Sequence, residues 1–549
     1  MTFVDGIWEA EFHTGDYDRP DNFFTLADLP ELAEKEYDLI IVGAGGAGTA
    51  AAVEATDLGA SVLVLEKAKH AGGSTHYSGG TIRLISDPEG AVEHYLALSQ
   101  GATPREPIEA FVKGLDEIPA WIAAHGGVLV SDEYQIARAG SEIAQRRVFP
   151  AGRVGSAFPD FPHSDSLGLR NHLEPQRPDR KFGAAMWDFL RGALAATGAP
   201  VVTGARVSGV LQDTPGGAVY GVTVETPDGP FKIKSKSGVV LANGGFAWDP
   251  EMLRQYFGID MPAMSPAHRN TGDGVRIAQS AGADLWHMTA TSTTIGYSFS
   301  DADAAFPCEI VDYGFVLVDQ NGRRYARETM METHSFTHSM LHQDPISGLF
   351  DRIPSYIVVD EKTRLAGPLS VAGSLGFNRR YPWSDDNSAE IDRGWLTKAD
   401  TIEELAEKLG LPAEALKATI DRYNEMSLAG EDDEFGRPAK ETAPIDTAPF
   451  YAAPVRPTLL NTQGGPRRNG RGEVLNPNGQ AIPGLFSAGE LGSIWHRLYP
   501  GGGNVSEALV SGRAAAASAL GGSRTLSEVM ASDLNTAVST VGADLSDAY

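Results

Sequence analysis

The stretch YDLIIVGAGGAGTAAAVEATDLGASVLVLE, from Tyr37 to Glu66, decides the fold. A buried apolar strand, Leu39 to Val42, runs into Gly43-Ala44-Gly45-Gly46-Ala47-Gly48. An Ala-rich helix follows, stopped at Gly59, and a second apolar strand from Val62 ends in Glu66. Gly43 permits the tight strand-to-helix turn, Gly45 lets backbone approach a pyrophosphate, and Gly48 lets helix and strand pack closely. The helix N-terminus offers unpaired N–H groups to an anion. Glu66 stands about 20 residues further on, where a carboxylate accepts from a ribose 2′-OH. A bare GxGxxG is weak evidence, but a complete strand–turn–helix–strand–acid unit is a dinucleotide site.

Working outward, the glycine-rich loop Gly72-Gly73-Ser74-Thr75-His76-Tyr77-Ser78-Gly79-Gly80 can lay backbone amides along a cofactor. A mixed helical region is expected from about 90 to 200. Strand signals return at Pro200–Val207, Gly221–Glu225 and Ser237–Gly245, with Asp228-Gly229 marking a hairpin. Thr271-Gly-Asp-Gly-Val275 opens a helix ending near Ala283. Residues 286–451 lose the βαβ rhythm and read as an inserted α+β domain, with one helical pattern from Thr401 to Ser427. A late strand, Gly484 to Glu490, precedes a long Ala-rich helix from Gly501 to about Leu520. The expected fold is α/β: a Rossmann-like domain (36–285 and 452–525) interrupted by a capping domain (286–451). An irregular extension (1–35) precedes it and a tail (526–549) follows.

Bulk composition bounds the function. The chain has 549 residues and a hydrophobic fraction of 42%, ample for more than one domain. Cys308 is its single cysteine, which excludes an intrachain disulfide, a thiolate metal site and a cysteine-ligated iron–sulfur cluster. No metal site is expected. A formal charge of −27 disfavours nucleic acid and anionic lipid. No segment reaches the roughly 20 uninterrupted apolar residues of a membrane span, and the N-terminus has no signal-peptide pattern. A cytoplasmic protein without membrane or nucleic-acid partners is expected.

Several further motifs occur in order: Leu241-Ala-Asn-Gly-Gly245, Thr271-Gly-Asp-Gly274, Gly322-Arg-Arg-Tyr-Ala-Arg-Glu328, Pro449-Phe-Tyr451, Thr462-Gln-Gly-Gly-Pro-Arg467 and Ile482 to Glu490. With the dinucleotide unit and the Gly72–Gly80 loop they span nearly the whole chain. On these residues it resembles the fumarate reductase/succinate dehydrogenase flavoprotein superfamily, and within it the 3-ketosteroid Δ1-dehydrogenase-like enzymes. The resemblance implies FAD, a flavin domain in two pieces and a cap over the isoalloxazine. Implied cofactor contacts are Gly43 to Gly48, Glu66, Lys67, Gly73, Ser74, Thr75, Ser78, Gly79, Gly80, Val207, Asn243, Gly244, Asp273 (on the flavin side), Gly489, Glu490, Asn504 and Val505. His76 lies closer to Gly79 than the histidine of covalently flavinylated relatives, so FAD is expected to be non-covalent. Only one dinucleotide fingerprint is present, so electrons are expected to pass to or from an external partner at the same flavin.

Tyr499-Pro-Gly-Gly-Gly503 is similar to the YPGxG element of the ketosteroid dehydrogenases, which implies that the Tyr499 hydroxyl and Gly503 N–H bind a substrate ketone oxygen. The residue that takes the α-proton is open: the window after Glu328 has no tyrosine, and Glu332, His334, His338, Tyr134 and Tyr313 are the candidates. Fumarate reductases offer competing chemistry, with His496 at a substrate-histidine position and Arg497 able to grip a carboxylate. However, Pro500 occupies the neighbouring arginine position. The leading expectation is dehydrogenation of the carbon–carbon bond next to a ketone, cyclic or steroid-like. The alternatives are an ene-reductase of an enone or unsaturated carboxylate, and a flavin-carrying protein without turnover.

Overall fold

A computed structural model describes residues 20–131, 158–177, 180–265, 268–329, 332–371, 381 and 383–521, together with the backbone of two short strands, Thr2–Val4 and Ile7–Glu9. The organising element is a seven-stranded sheet. Its order is Glu473–Leu475, Ala481–Ser487, Val239–Leu241, Leu39–Val42, Val62–Glu66, Val201–Thr203 and Phe23–Thr25. All neighbours are parallel except Glu473–Leu475, which runs antiparallel to Ala481–Ser487. Leu39, Ile40, Ile41, Val239, Val240 and Leu241 are fully buried, as strands covered on both faces must be.

Helices Gly46–Asp57 and Gly503–Ala519 pack together although far apart in sequence. Both are Ala-rich, and a Cβ on Gly512 would fall 2.2 Å from the Ala47 carbonyl oxygen, so the backbones are nearly touching. A buried Arg513–Glu54 ion pair at 2.7 Å ties them laterally. The last helix therefore completes the unit that the first strand begins.

The capping region forms a mainly antiparallel sheet of six strands, with Phe450–Thr462 pairing with Thr291–Tyr297, Ser355–Asp360 and Thr397–Ala399. This strand runs unbroken from the cap to the dinucleotide unit, and the 451/452 boundary falls inside it. The Gly322–Glu328 motif is a structural clamp of the cap. Arg324 contacts Glu328 at 2.7 Å and Asp432 at 2.8 Å, all three buried, and Arg437 approaches Glu328 at 3.6 Å.

The expected hairpin at Asp228-Gly229 joins Gly221–Thr226 to Gly229–Lys234, with Thr226 opposite Gly229. Three expectations need correction. The segment before residue 36 is not all irregular, because Phe23–Thr25 adds an edge strand beside Val201–Thr203. The Thr401–Ser427 pattern is two helices, Ile402–Leu409 and Ala413–Ala429, since Gly410 (φ +72°) ends one and Pro412 caps the next. The Pro200–Val207 strand is broken at Gly204 (φ +76°), giving Val201–Thr203 and Val207–Val210.

Candidate active site

The strand ends and the N-termini of Gly46–Asp57 and Gly503–Ala519 enclose a cleft of roughly 1250 Å³, its open mouth included. Its floor uses glycine where side chains cannot fit. A Cβ on Gly43 (φ +103°) would lie 2.4 Å from the Ala242 carbonyl oxygen, and one on Gly48 would lie 1.8 Å from the Gly43 carbonyl oxygen. A Cβ on Gly45, by contrast, would meet nothing within 4 Å. The space over Gly45 is available to a ligand.

Part of the cleft lining is charged. Glu66 accepts from the Ala44 amide at 2.9 Å and the Ala68 amide at 2.7 Å, and burial pushes its carboxyl pKa up despite these bonds. Lys67 contacts Asp273 at 2.8 Å, and Arg206 contacts the other Asp273 oxygen at 3.0 Å. Burial works against ionisation of Asp273, but these two cations outweigh it and hold the carboxyl below its usual range.

Further along, Glu490 accepts from the Thr462 amide and hydroxyl, each at 3.1 Å, and from Asn270 at 3.2 Å. Desolvation dominates there and raises its pKa to about 7. Asn243 lines the cleft with its Oδ1 buried and without a protein partner. Such an orphan marks a place for a ligand donor.

Tyr499 stands beside the cleft wall at Asn504 and is not itself a lining residue. Its hydroxyl accepts from the Asn504 backbone N–H at 2.9 Å, while Asn504 and Val505 line the cleft. Burial pushes the Tyr499 pKa well up; the Asn504 and Gly502 amides and Arg83 pull the other way, while Glu332 adds to the rise. Tyr499 therefore keeps its proton and can donate it. Against its ring packs His334, edge to face at 5.1 Å, and His334 Nδ1 lies 2.5 Å from the buried carboxylate of Glu332. Gly503 begins the last helix beneath Trp495, whose ring a Cβ there would meet at 2.6 Å. Glu507 anchors the preceding loop, accepting from the Ile494 amide and Ser493 hydroxyl while paired with buried Arg468 at 2.7 Å.

Residues 38–506 match the family described as FAD binding domain. The chain belongs to that family. It is similar to a 3-oxosteroid 1-dehydrogenase of Mycolicibacterium smegmatis (28% identical, covering 88% of this chain and 97% of the relative). It is also similar to a 4-oxocyclohexanecarboxylate 2-dehydrogenase of Sinomonas cyclohexanicum (27% identical, 85% and 90% covered). Among solved structures, 3-ketosteroid Δ1-dehydrogenase from Sterolibacterium denitrificans shares the fold (TM-score 0.75, 22% identity, 88% and 99% covered). The chain is an FAD-dependent oxidoreductase.

The residues present fit FAD: open space over Gly45, an orphaned acceptor on Asn243 and a large cleft lined by the carboxylates of Glu66 and Glu490. Of the cofactor residues expected from sequence, Gly43, Gly45, Gly46, Ala47, Glu66, Lys67, Gly73, Ser74, Thr75, Ser78, Val207, Asn243, Gly244, Asp273, Gly489, Glu490, Asn504 and Val505 all line the cleft. Ala44, Gly48, Gly79 and Gly80 are not among its lining residues. Gly48 and Gly80 permit close packing, since a Cβ on Gly80 would meet Phe182 backbone at 2.4 Å. Asp273 joins Lys67 and Arg206 beside Glu66. His76 is not a lining residue and packs on Tyr77.

Sequence reasoning missed Arg206, Arg269, Asn270 and Asn461, which also line the cleft. Arg206 and Asn270 directly precede recognised positions, Val207 and Thr271, so proximity to those motifs was their only signal.

Tyr499, Gly503, His334 and Glu332 are brought together, whereas His496 and Arg497 form a different group. His496 packs against the His287 ring at 4.8 Å, and burial followed by the charges of His287, Arg497 and His338 lowers its pKa to about 4. Arg497 is exposed, with its carbonyl 3.2 Å from His338 Nε2. Tyr313 belongs to the cap, its carbonyl held by Arg437 at 2.8 Å. Tyr134 lies outside the described residues.

Proposed function

We propose that this enzyme dehydrogenates the carbon–carbon bond α,β to a ketone, on a cyclic or steroid-like substrate. The observation that carries this reading is that one helical turn serves both partners. Asn504 lines the FAD cleft, and its amide holds the Tyr499 hydroxyl. A ketone oxygen bound by Tyr499 is therefore adjacent to the cofactor wall.

Bound FAD supplies the acceptor for a hydride leaving the substrate β-carbon. Tyr499 O–H and Gly503 N–H donate to the ketone oxygen, where charge grows as the α-carbon loses its proton. His334 takes that proton at Nε2, because Glu332 engages Nδ1 and fixes the tautomer. The departing proton and hydride leave an α,β double bond.

The reading places FAD, without covalent attachment, in 36–285 and 452–525, with 286–451 as the cap, 1–35 as an extension and 526–549 as a tail. The second electron partner is an external acceptor, since the sequence has one dinucleotide fingerprint. The lone cysteine favours a cytoplasmic setting, and the acidic charge disfavours nucleic acid. Among the described residues no helix is long and apolar enough to cross a membrane. A dicarboxylate substrate is disfavoured, because His496 is neutral at pH 7 with its pKa near 4 and Arg497 faces solvent.

The test is anaerobic mixing of the holoenzyme with saturated cyclic ketones. Bleaching of oxidised flavin with formation of one enone per flavin is expected. If no ketone bleaches it while enones reoxidise chemically reduced enzyme, the reductive direction is the function. If neither ketone nor alkene changes the flavin spectrum, a flavin carrier without turnover replaces both.

A further inference from the structure

The glycine turn that starts the last helix is gripped from behind by a residue no motif pointed to. Arg83 lies on strand Ile82–Ile85, opposite Arg170 of the antiparallel strand Leu167–Leu173, and is only 4% exposed. Its Nη2 donates to the Gly501 carbonyl at 2.8 Å and its Nε to the same oxygen at 3.2 Å. The Arg83 backbone N–H donates to the Ser506 hydroxyl at 3.1 Å, and that hydroxyl donates to the Gly502 carbonyl at 2.9 Å. Two consecutive carbonyls of the turn are thus held on the Arg83 side.

A trans peptide sets its C=O and the following N–H in opposite directions. Fixing the Gly501 and Gly502 carbonyls toward Arg83 and Ser506 therefore aims the Gly502 and Gly503 amides away from them. Gly502 reaches this geometry at φ +95°, beside Thr81, where a Cβ would meet a methyl at 3.1 Å. The guanidinium also lies within electrostatic reach of Tyr95, Glu332 and Tyr499 as well as Arg170. A fixed buried cation there favours negative charge developing on a bound oxygen.

We infer that Arg83 is the positioning residue of the ketone-binding turn, clamping the Gly501 carbonyl so that the Gly503 amide and Tyr499 hydroxyl meet one substrate oxygen. This rests on the function proposed above. It predicts that Arg83 acts on turnover through the turn and through its charge, without touching substrate or FAD.

The experiment compares Arg83→Gln, Arg83→Lys and Tyr499→Phe holoenzymes on a saturated cyclic ketone that bleaches the wild-type flavin. Gln and Lys can each give the Gly501 carbonyl one hydrogen bond, but only Lys keeps the charge. Arg83→Gln is expected to keep FAD and hold KM within about twofold while kcat falls by at least about tenfold, since small misplacements at a reacting centre are costly. Arg83→Lys should recover part of that loss, which a role in folding alone would not produce. Wild-type kcat in both Arg83 variants, with Tyr499→Phe impaired, overturns this inference alone. Wild-type kcat in Tyr499→Phe, or no ketone turnover in the wild type, overturns the underlying function and this inference with it. If Arg83→Gln does not fold, equal kcat of Arg83→Lys and wild type would still count against the clamp.

Discussion

The Asn504 backbone N–H donates to the Tyr499 hydroxyl at 2.9 Å, tying the loop before the last helix to its first turn. Donation to the phenol oxygen polarises the O–H bond and makes it a better donor to a third atom. Because the helix begins at Gly503, its positive end adds to the same field. Burial drives the Tyr499 pKa upward, so the hydroxyl keeps its proton near neutral pH.

Tyr499→Phe should therefore keep the fold and FAD while kcat on a saturated ketone falls about 10²–10³-fold, the usual effect of losing one oxyanion donor. The substitution also leaves the Asn504 amide without its acceptor, which is expected to lower stability by about 1 kcal/mol or more. Stopped-flow bleaching and a thermal melt measure the two effects separately. Full turnover in this variant would remove Tyr499 from the carbonyl site.

Two glycines of the fingerprint should fail in opposite ways. Gly45 has ordinary backbone angles (φ −87°) and open space where a Cβ would stand. Gly45→Ala is thus expected to leave the apoprotein at least as stable, by about 0.4–1 kcal/mol from reduced chain entropy, while FAD binding weakens sharply. Gly48→Ala instead drives a methyl to 1.8 Å from the Gly43 carbonyl oxygen. It should cost about 1–3 kcal/mol or more in the apoprotein itself. Apoprotein melts with FAD titration decide the matter: a Gly45→Ala protein that binds FAD normally contradicts the assignment of that space.

Glu490 should give the apoprotein a specific pH dependence. Its half-buried carboxyl keeps a proton up to about pH 7, whereas in the unfolded chain it releases it near an ordinary value. Such a group stabilises the fold below roughly pH 4.3, and the contribution is lost as pH rises through the folded value. The loss is on the order of 3 kcal/mol when complete. Glu490→Gln cannot ionise, so its Tm should fall less than wild type between pH 5 and 8. An identical fall in both apoproteins would show that Glu490 is not the group responsible.

The cofactor half was legible because its rules are backbone rules. Gly43, Gly45 and Gly48 read directly as a turn, an open approach and a close packing contact, which is how the Cβ distances distinguish them. The proposed catalytic half was less legible because its geometry comes from elements far apart in sequence. Nothing local joins Arg83 to Gly501, or His334 to Tyr499, although both pairs are in contact. The edge strand Phe23–Thr25 escaped notice for a related reason: three residues are too few for a periodic pattern, and pairing with Val201–Thr203 defines it. The ion pairs of Asp273 were not legible because its motif fixes a helix start but not which cations, Lys67 and Arg206, will meet it.

His334 and Glu332 are expected to govern proton removal and not cofactor binding. The imidazole packs on the Tyr499 ring, and its Nδ1 is engaged by a carboxylate that is fully buried. With Nδ1–H donated to Glu332, the lone pair is left on Nε2, which is the form a general base needs. His334→Ala should keep FAD and the flavin spectrum yet lose about 10²–10⁴-fold in kcat. Glu332→Gln should be less severe, because an amide oxygen can still accept from Nδ1–H but does not stabilise the imidazolium that forms. The direct readout is exchange of the substrate α-hydrogen for deuterium in anaerobic D2O, followed by NMR. Wild-type enzyme should catalyse this exchange, Glu332→Gln should slow it, and His334→Ala should nearly abolish it. Exchange at the wild-type rate in His334→Ala would assign the proton transfer to another residue while leaving the Tyr499 assignment intact.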